Sequence, residues 1–154
     1  MTQATRAAYL DAVRMLARRE LSEAQVRQRL ARRKHAADAV EAAIDRLRAE
    51  RAIDDVRVAE AIARTEASKR RGELRVRRQI ERAGISPATA RRVARDTFGE
   101  VDVGELIEAS LHKRLRGRTF VADEAELGRL YRYLMAQGFE PDQVLAALTR
   151  HRRR

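Results

Sequence analysis

Apolar residues recur along this chain at intervals of three and four, the spacing of one face of an α-helix, and nowhere alternate as in a half-buried strand. Three stretches superimpose without gaps: VRQRLARRKHAADAVEAAI (26–44), VRRQIERAGISPATARRVA (76–94) and LYRYLMAQGFEPDQVLAAL (130–148). Val26, Val76 and Leu130 coincide, as do Leu30, Ile80 and Leu134. Further on, Val40 matches Ala90 and Val144, and Ile44 matches Ala94 and Leu148. The repeat distance is 50 residues from Leu30 to Ile80 and 54 from Ile80 to Leu134. Such a period suits a unit of three helices.

In each unit a first helix carries an apolar stripe. The stripe is Leu10, Val13, Leu16 and Ala17 in the first unit, Val58, Ala61 and Ile62 in the second, and Leu106 and Ala109, with Leu115 further on, in the third. A short second helix carries the Val/Leu pair at i, i+4. Ser22 with Gln25, and Asp123 with Glu126, fit capping boxes that open these second helices. Gly72 stands where the middle unit would have its cap, so the chain there either bends or runs on from the preceding helix. Gly84 and Gly138 suit a helix C′ position, which needs positive φ. Ser86-Pro87 and Glu140-Pro141 place proline at the first position of the third helix, where its missing N–H costs nothing. In AIDDV (52–56), Asp54 is placed to cap a helix with Asp55 in its first turn, and Ile53 and Val58 are spaced for a hydrophobic staple.

Seven Gly and two Pro leave little material for hairpins. With no Trp and few aromatics, the core has to come from Ala, Leu, Ile and Val, which favours thin helical layers. The expected class is all-α: three tandem three-helix, helix-turn-helix-like repeats in an elongated, curved array. The expected units are 5–50, 51–99 and 100–154, the last with a basic C-terminal tail, RHRRR, read as a disordered electrostatic arm. There is no Cys, so neither disulfide nor thiolate metal site is available, which fits a reducing compartment. No apolar run approaches the ~20 residues that span a bilayer. The N-terminal stretch lacks a signal-peptide pattern. A cytoplasmic monomer is expected, with no membrane partner.

The formal net charge of +11 directs attention to anionic partners, although an Arg/Ala-rich composition can inflate charge without purpose. KRRGELRVRRQIERAGIS (69–86) is the densest basic stretch. On an ideal helix Arg71, Arg75, Arg78 and Arg82 share a strip about 60° wide, with Val76 and Ile80 opposite. Like charges at this spacing repel by a few tenths of a kcal/mol per pair. Glu73, facing Arg77, and Glu81, facing Arg77 or Arg78, are placed to offset this. Two readings stand, a well-solvated face or a surface that grips an anion, and four aligned guanidiniums with no acid in the strip favour the second. Arg29, Arg32, Arg33 and Lys34 form a similar but less ordered cluster. HKRLRGR (112–118) is a charge run near a helix end, where the dipole favours cations anyway. Guanidinium forks suit phosphates and carboxylates and read no base sequence.

His35, His112 and His151 lack metal-ligand spacing, and no phosphate-cradling loop or nucleophile–base pair is evident, so no metal, cofactor or catalytic residue is assigned. Asp54 and Asp55 are read as structural N-cap residues. A magnesium nuclease built on them is the weakest alternative, since adjacent helical residues diverge. Tyr131 and Tyr133 read as packing residues before base-stacking ones.

IDDVRVAEAI (53–62) followed by RRGELRVRRQIERAGIS (70–86), with ARRELSEAQVRQRLARR (17–33) before them and YRYLMAQGFEPDQVLAAL (131–148) after, resembles the RecX regulators of RecA recombinase. No one piece is unique, but their order and spacing over residues 8 to 150 are specific. The chain departs from that pattern at Val58, where the family mostly has Phe, and at Lys34-His35, where it often has Gly and an aromatic. The second departure could let helices two and three of the first unit run together. The resemblance implies a non-enzymatic modulator, mainly an inhibitor. It would bind RecA and the RecA–single-stranded-DNA filament groove, restrain strand exchange, ATPase and coprotease activity, and contact DNA without sequence preference. The alternative is a stand-alone helix-turn-helix DNA-binding protein or transcription regulator, against which no helix shows Asn, Gln and Arg arrayed for bases.

Overall fold

The computed structural model describes residues 1–152. Among them are nine helices: α1 (Gln3–Arg18), α2 (Glu23–Arg32), α3 (Ala37–Ala49), α4 (Asp55–Ser68), α5 (Glu73–Arg82), α6 (Pro87–Phe98), α7 (Val103–Leu115), α8 (Glu124–Gln137) and α9 (Pro141–Arg150). The β structure among the described residues is a single bridge between Val121 and Arg152. The helices pack chiefly in consecutive threes, α1–α3, α4–α6 and α7–α9, giving an elongated all-helical repeat array. No helix among the described residues is long and apolar enough to cross a membrane.

Local sequence chemistry starts and stops these helices. Ser22 and Gln25 form the full reciprocal capping box of α2. Asp123 Oδ1 accepts from Glu126 N at 2.8 Å, while the Glu126 carboxylate takes the Ala122 amide at 2.7 Å instead of the cap's own N–H. Asp54 caps α4, accepting from Val56 N and Arg57 N at 3.0 and 3.2 Å. Gly84 and Gly138 turn the chain at φ 81° and 95°. The first unit makes the same corner with Lys34 at φ 68°, so α2 and α3 do not merge; the Cβ penalty of the left-handed region is met without glycine. Gly72 is the N-cap of α5, and the chain bends there after Arg70 at φ 59°.

Each triplet has its own core. Val26, Leu30, Ile44 and Leu47 are sealed in the first, Val76, Ile80, Ala90 and Ala94 in the second, and Leu111, Leu134, Phe139 and Val144 in the third. Val103 and Leu106 lie against both the second and third cores and join them. Three expectations fail here. The buried face of α1 is Ala8, Ala12 and Met15, while Leu10 and Val13 are exposed, because a seam of Ala8 with Ala39 and Ala43 lets α1 and α3 approach closely. On α7 Leu115 is buried and Leu106 packs on two cores as expected, but Ala109 is exposed and Ile107 and Leu111 fill the stripe instead. The staple is not formed, since Ile53 joins the first core and Val58 the second.

The tail is also corrected. Arg150 Nη2 donates to Glu108 at 3.0 Å, Val121 N donates to the His151 carbonyl at 2.8 Å, and Arg152 pairs with Glu124. Three of the five tail residues are therefore anchored to the third unit. Arg153 and Arg154 lie outside the described residues.

Candidate functional site

The second helices of the three triplets meet end to end, and this decides which arginines are free. α2 begins where α5 ends. The Ser22 hydroxyl accepts from Gln25 N at 3.1 Å and donates to the Ala83 carbonyl, and Glu23 N donates to Asp55 Oδ1 at 2.9 Å. α5 in turn begins where α8 ends, with Gly72 N donating to the Gln137 carbonyl at 2.7 Å and Leu74 N to the Gly138 carbonyl at 3.0 Å. Under the repeat, Ser22 corresponds to Gly72 and Ala83 to Gln137. One orphan carbonyl position is therefore served by a hydroxyl in one joint and by a backbone amide in the other. Both joints bring the positive end of one helix dipole to the negative end of the next. Asp55 is thus the first residue of α4 and a docking acceptor, not a cap.

The strip of four arginines divides at this joint. Arg71 precedes α5 and donates from Nη1 to Gln137 Oε1 at 2.6 Å; its Nε is buried with no partner among the described residues. Arg75 donates from Nη1 to the Ala136 carbonyl at 3.3 Å and lies 3.4 Å from the buried Glu66 carboxylate. These two tie the second triplet to the third: Arg71 leaves the strip because the helix is broken at Gly72, and Arg75, still on α5, is half-buried because Gly138 packs directly against it. Arg78 and Arg82 remain exposed with no acidic partner among the described residues. Neither Glu73 nor Glu81 forms the expected pair with Arg77 or Arg78, so these charges are not neutralised locally.

In the first triplet Arg32 is exposed and Arg29 half-buried, both without an acidic partner among the described residues. Arg33 pairs with Asp11, whose other oxygen lies 2.9 Å from His35 Nε2. Burial pushes the Asp11 carboxyl up, but the bonds from His35 and Arg33 outweigh it and hold the group below its ordinary range. Lys34 is exposed at the corner. Arg32 is the repeat equivalent of Arg82, so both helices present a free guanidinium in their last turn.

A groove of about 410 Å³ runs along the joint of the first two triplets, floored by Val58, Ala61 and Ile62 and flanked by Arg19, Glu20 and Arg82. A cationic depression lies on the third triplet, lined by Lys113, Arg114, Arg116, Arg118 and Tyr133. HKRLRGR and Tyr133 stand on different helices, and only the packing of α7 on α8 brings them together. Among the described residues no group of three His, Cys, Asp or Glu could hold a metal ion. Asp54 and Asp55 are occupied by the α4 cap and the α2 joint.

Fold and surface together define a class: an all-helical protein of tandem three-helix units, joined end to end, with cationic edges. The description "RecX, first three-helix domain" matches residues 8–47. Regulatory protein RecX of Chromohalobacter salexigens is 33% identical over 90% of this chain and 88% of its own length. Regulatory protein RecX of Acidithiobacillus ferrooxidans is 34% identical over 93% and 89%. The crystal structure of RecX from Lactobacillus salivarius superimposes with a TM-score of 0.79 over 97% of each chain at 17% identity, a likeness of fold. The chain belongs to the RecX family of regulatory proteins.

Proposed function

We propose that this protein is a non-enzymatic modulator, mainly an inhibitor, of RecA. It binds RecA and the groove of the RecA–single-stranded-DNA filament, and so restrains strand exchange, ATP turnover and coprotease activity. The observation that carries this reading is similarity to RecX regulatory proteins over nine-tenths of the chain. Three units, residues 5–50, 51–99 and 100–154, act as successive contacts along the filament, since an elongated array follows a helical groove better than a compact globule.

Exposed cations on successive units supply non-specific attraction to phosphates or acidic side chains. In this reading Arg78, Arg82 and Arg32 make direct contacts, Arg29 and Lys34 add to the local field, and Arg33 keeps its bond to Asp11. Arg71 and Arg75 contribute by fixing the joint that presents the others. The protein works as a monomer in the cytoplasm.

The test is RecA's DNA-dependent ATPase and strand exchange, measured from substoichiometric to equimolar levels of the purified protein. Both activities are expected to fall, and no effect across that range would remove the proposal.

A further inference from the structure

The depression on the third triplet carries more than solubility requires. Lys113, Arg114, Arg116, Arg118 and Tyr133 line a concavity of about 680 Å³. Arg116 at φ 52° and Gly117 at φ 88° turn the chain at the end of α7, so that Arg116 and Arg118 join Lys113 and Arg114 around one site. Arg118 is held from both of its Nη atoms by the Glu126 carboxylate, and so forms a fixed wall. Lys113, Arg114 and Arg116 are exposed and have no acidic partner among the described residues. The Arg114 guanidinium carbon stands over the Tyr133 ring, 3.7 Å from its centroid. That contact holds the group in place by a cation–π attraction and leaves its charge intact.

A simpler explanation is that these cations only complement the α7 dipole. The carbonyl end of a helix amounts to about half an elementary charge. Three free cations exceed that several-fold, and a fourth is already balanced by Glu126.

We propose that this depression binds the phosphodiester backbone of single-stranded nucleic acid, with an unpaired base laid on the outer face of the Arg114 guanidinium. Lys113 and Arg116 take the flanking phosphates, and Arg118 bounds the site. The choice of ligand rests on the filament reading above. The preference for a single strand comes from geometry: a guanidinium backed by a tyrosine offers one free planar face, and only an unpaired base has a free face to lay on it. A duplex can reach the same cations only through its phosphates.

The test uses the full chain without RecA, titrated with labelled oligothymidylate and with a duplex of equal length over a series of salt concentrations. The K113Q/R114Q/R116Q variant is expected to bind the single strand about tenfold or more weakly, with a salt slope shallower by roughly 1.4, the release expected for the two phosphates held by Lys113 and Arg116. The R114K variant keeps the charge and loses the plane, so it is expected to keep duplex affinity and lose the preference for the single strand. All three side chains are exposed, and thermal melting by circular dichroism checks that the variants fold. In the wild-type protein, amide shifts on adding the oligonucleotide are expected to concentrate at residues 113–118 and at Tyr133.

A triple variant within about twofold of wild type with an unchanged slope, or shifts that avoid this region, would overturn the site. R114K retaining the single-strand preference would overturn the stacked base. Wild-type protein that binds the oligonucleotide here yet leaves RecA untouched would remove the filament reading and leave this site standing.

Discussion

A methyl group added to Gly72 would lie 2.4 Å from the carbonyl carbon and oxygen of Gly138. Both obstacles are backbone, so neither can swing aside. Gly72→Ala is therefore expected to push α5 off the end of α8 and strain the bonds from Gly72 N and Leu74 N. The cost expected of such overpacking is roughly 1–3 kcal/mol. Thermal melting and hydrogen exchange at the Leu74 amide check it. Unchanged stability and protection would show that this close approach is not a constraint.

The other joint depends on polar side chains. Ser22→Ala removes the cap of α2 and the donor to the Ala83 carbonyl together, and should cost about 1–2 kcal/mol. Asp55→Ala strips the acceptor from Glu23 N across the same joint, whereas Asp55→Asn keeps an acceptor there and should be milder. Since both residues act at one end of α2, a double-mutant cycle is expected to show coupling, and strictly additive losses would argue that the two contacts are independent.

The arginines of the middle unit should separate into two kinds. Arg71→Gln and Arg75→Gln are expected to lower the melting temperature, because they loosen contacts to Gln137, Ala136 and Glu66. Arg78→Gln with Arg82→Gln is expected to leave melting unchanged and to weaken binding to polyanions, with a shallower salt dependence. A uniform effect of all four on binding alone would restore the picture of one outward-facing strip.

The third unit should respond to pH through His151. Its Nδ1–H donates to the Thr119 carbonyl at 2.9 Å and its Nε2 faces Glu108. The Thr119 carbonyl first, and then the Glu108 carboxylate, raise His151 above its ordinary 6.5. Burial pushes Glu108 up, but the bonds from His151 and Arg150 hold it lower. Because the folded-state value of His151 is raised, its stabilisation is full below pH 6.5 and is lost as the pH climbs through that raised value. Melting measured at about pH 6 and about pH 8.5 should show wild type losing stability on the alkaline side, with His151→Gln losing less. Equal losses in both proteins would exclude His151 as the source.

Much of this molecule follows from short-range chemistry. The caps at Ser22, Asp54 and Asp123, the glycine corners at Gly84 and Gly138, and prolines at the first turn of α6 and α9 are each set by a few neighbouring residues, so the order of helices and their triple repeat are readable from the chain. The buried pair of each second helix is legible for the same reason: two branched residues at i, i+4 define one face of a short helix. What only packing decided is where surfaces meet. Ala8 and Ala12 are buried in preference to Leu10 and Val13 because closeness to α3 outweighs side-chain size. Arg71 is drawn onto Gln137 because Gly72 breaks the helix before α5, and Arg75 is half-buried because Gly138 admits the first turn of α5. Lys113, Arg114 and Tyr133 share a site because α7 packs on α8. Those relations depend on distances between residues far apart in sequence, which no local periodicity encodes.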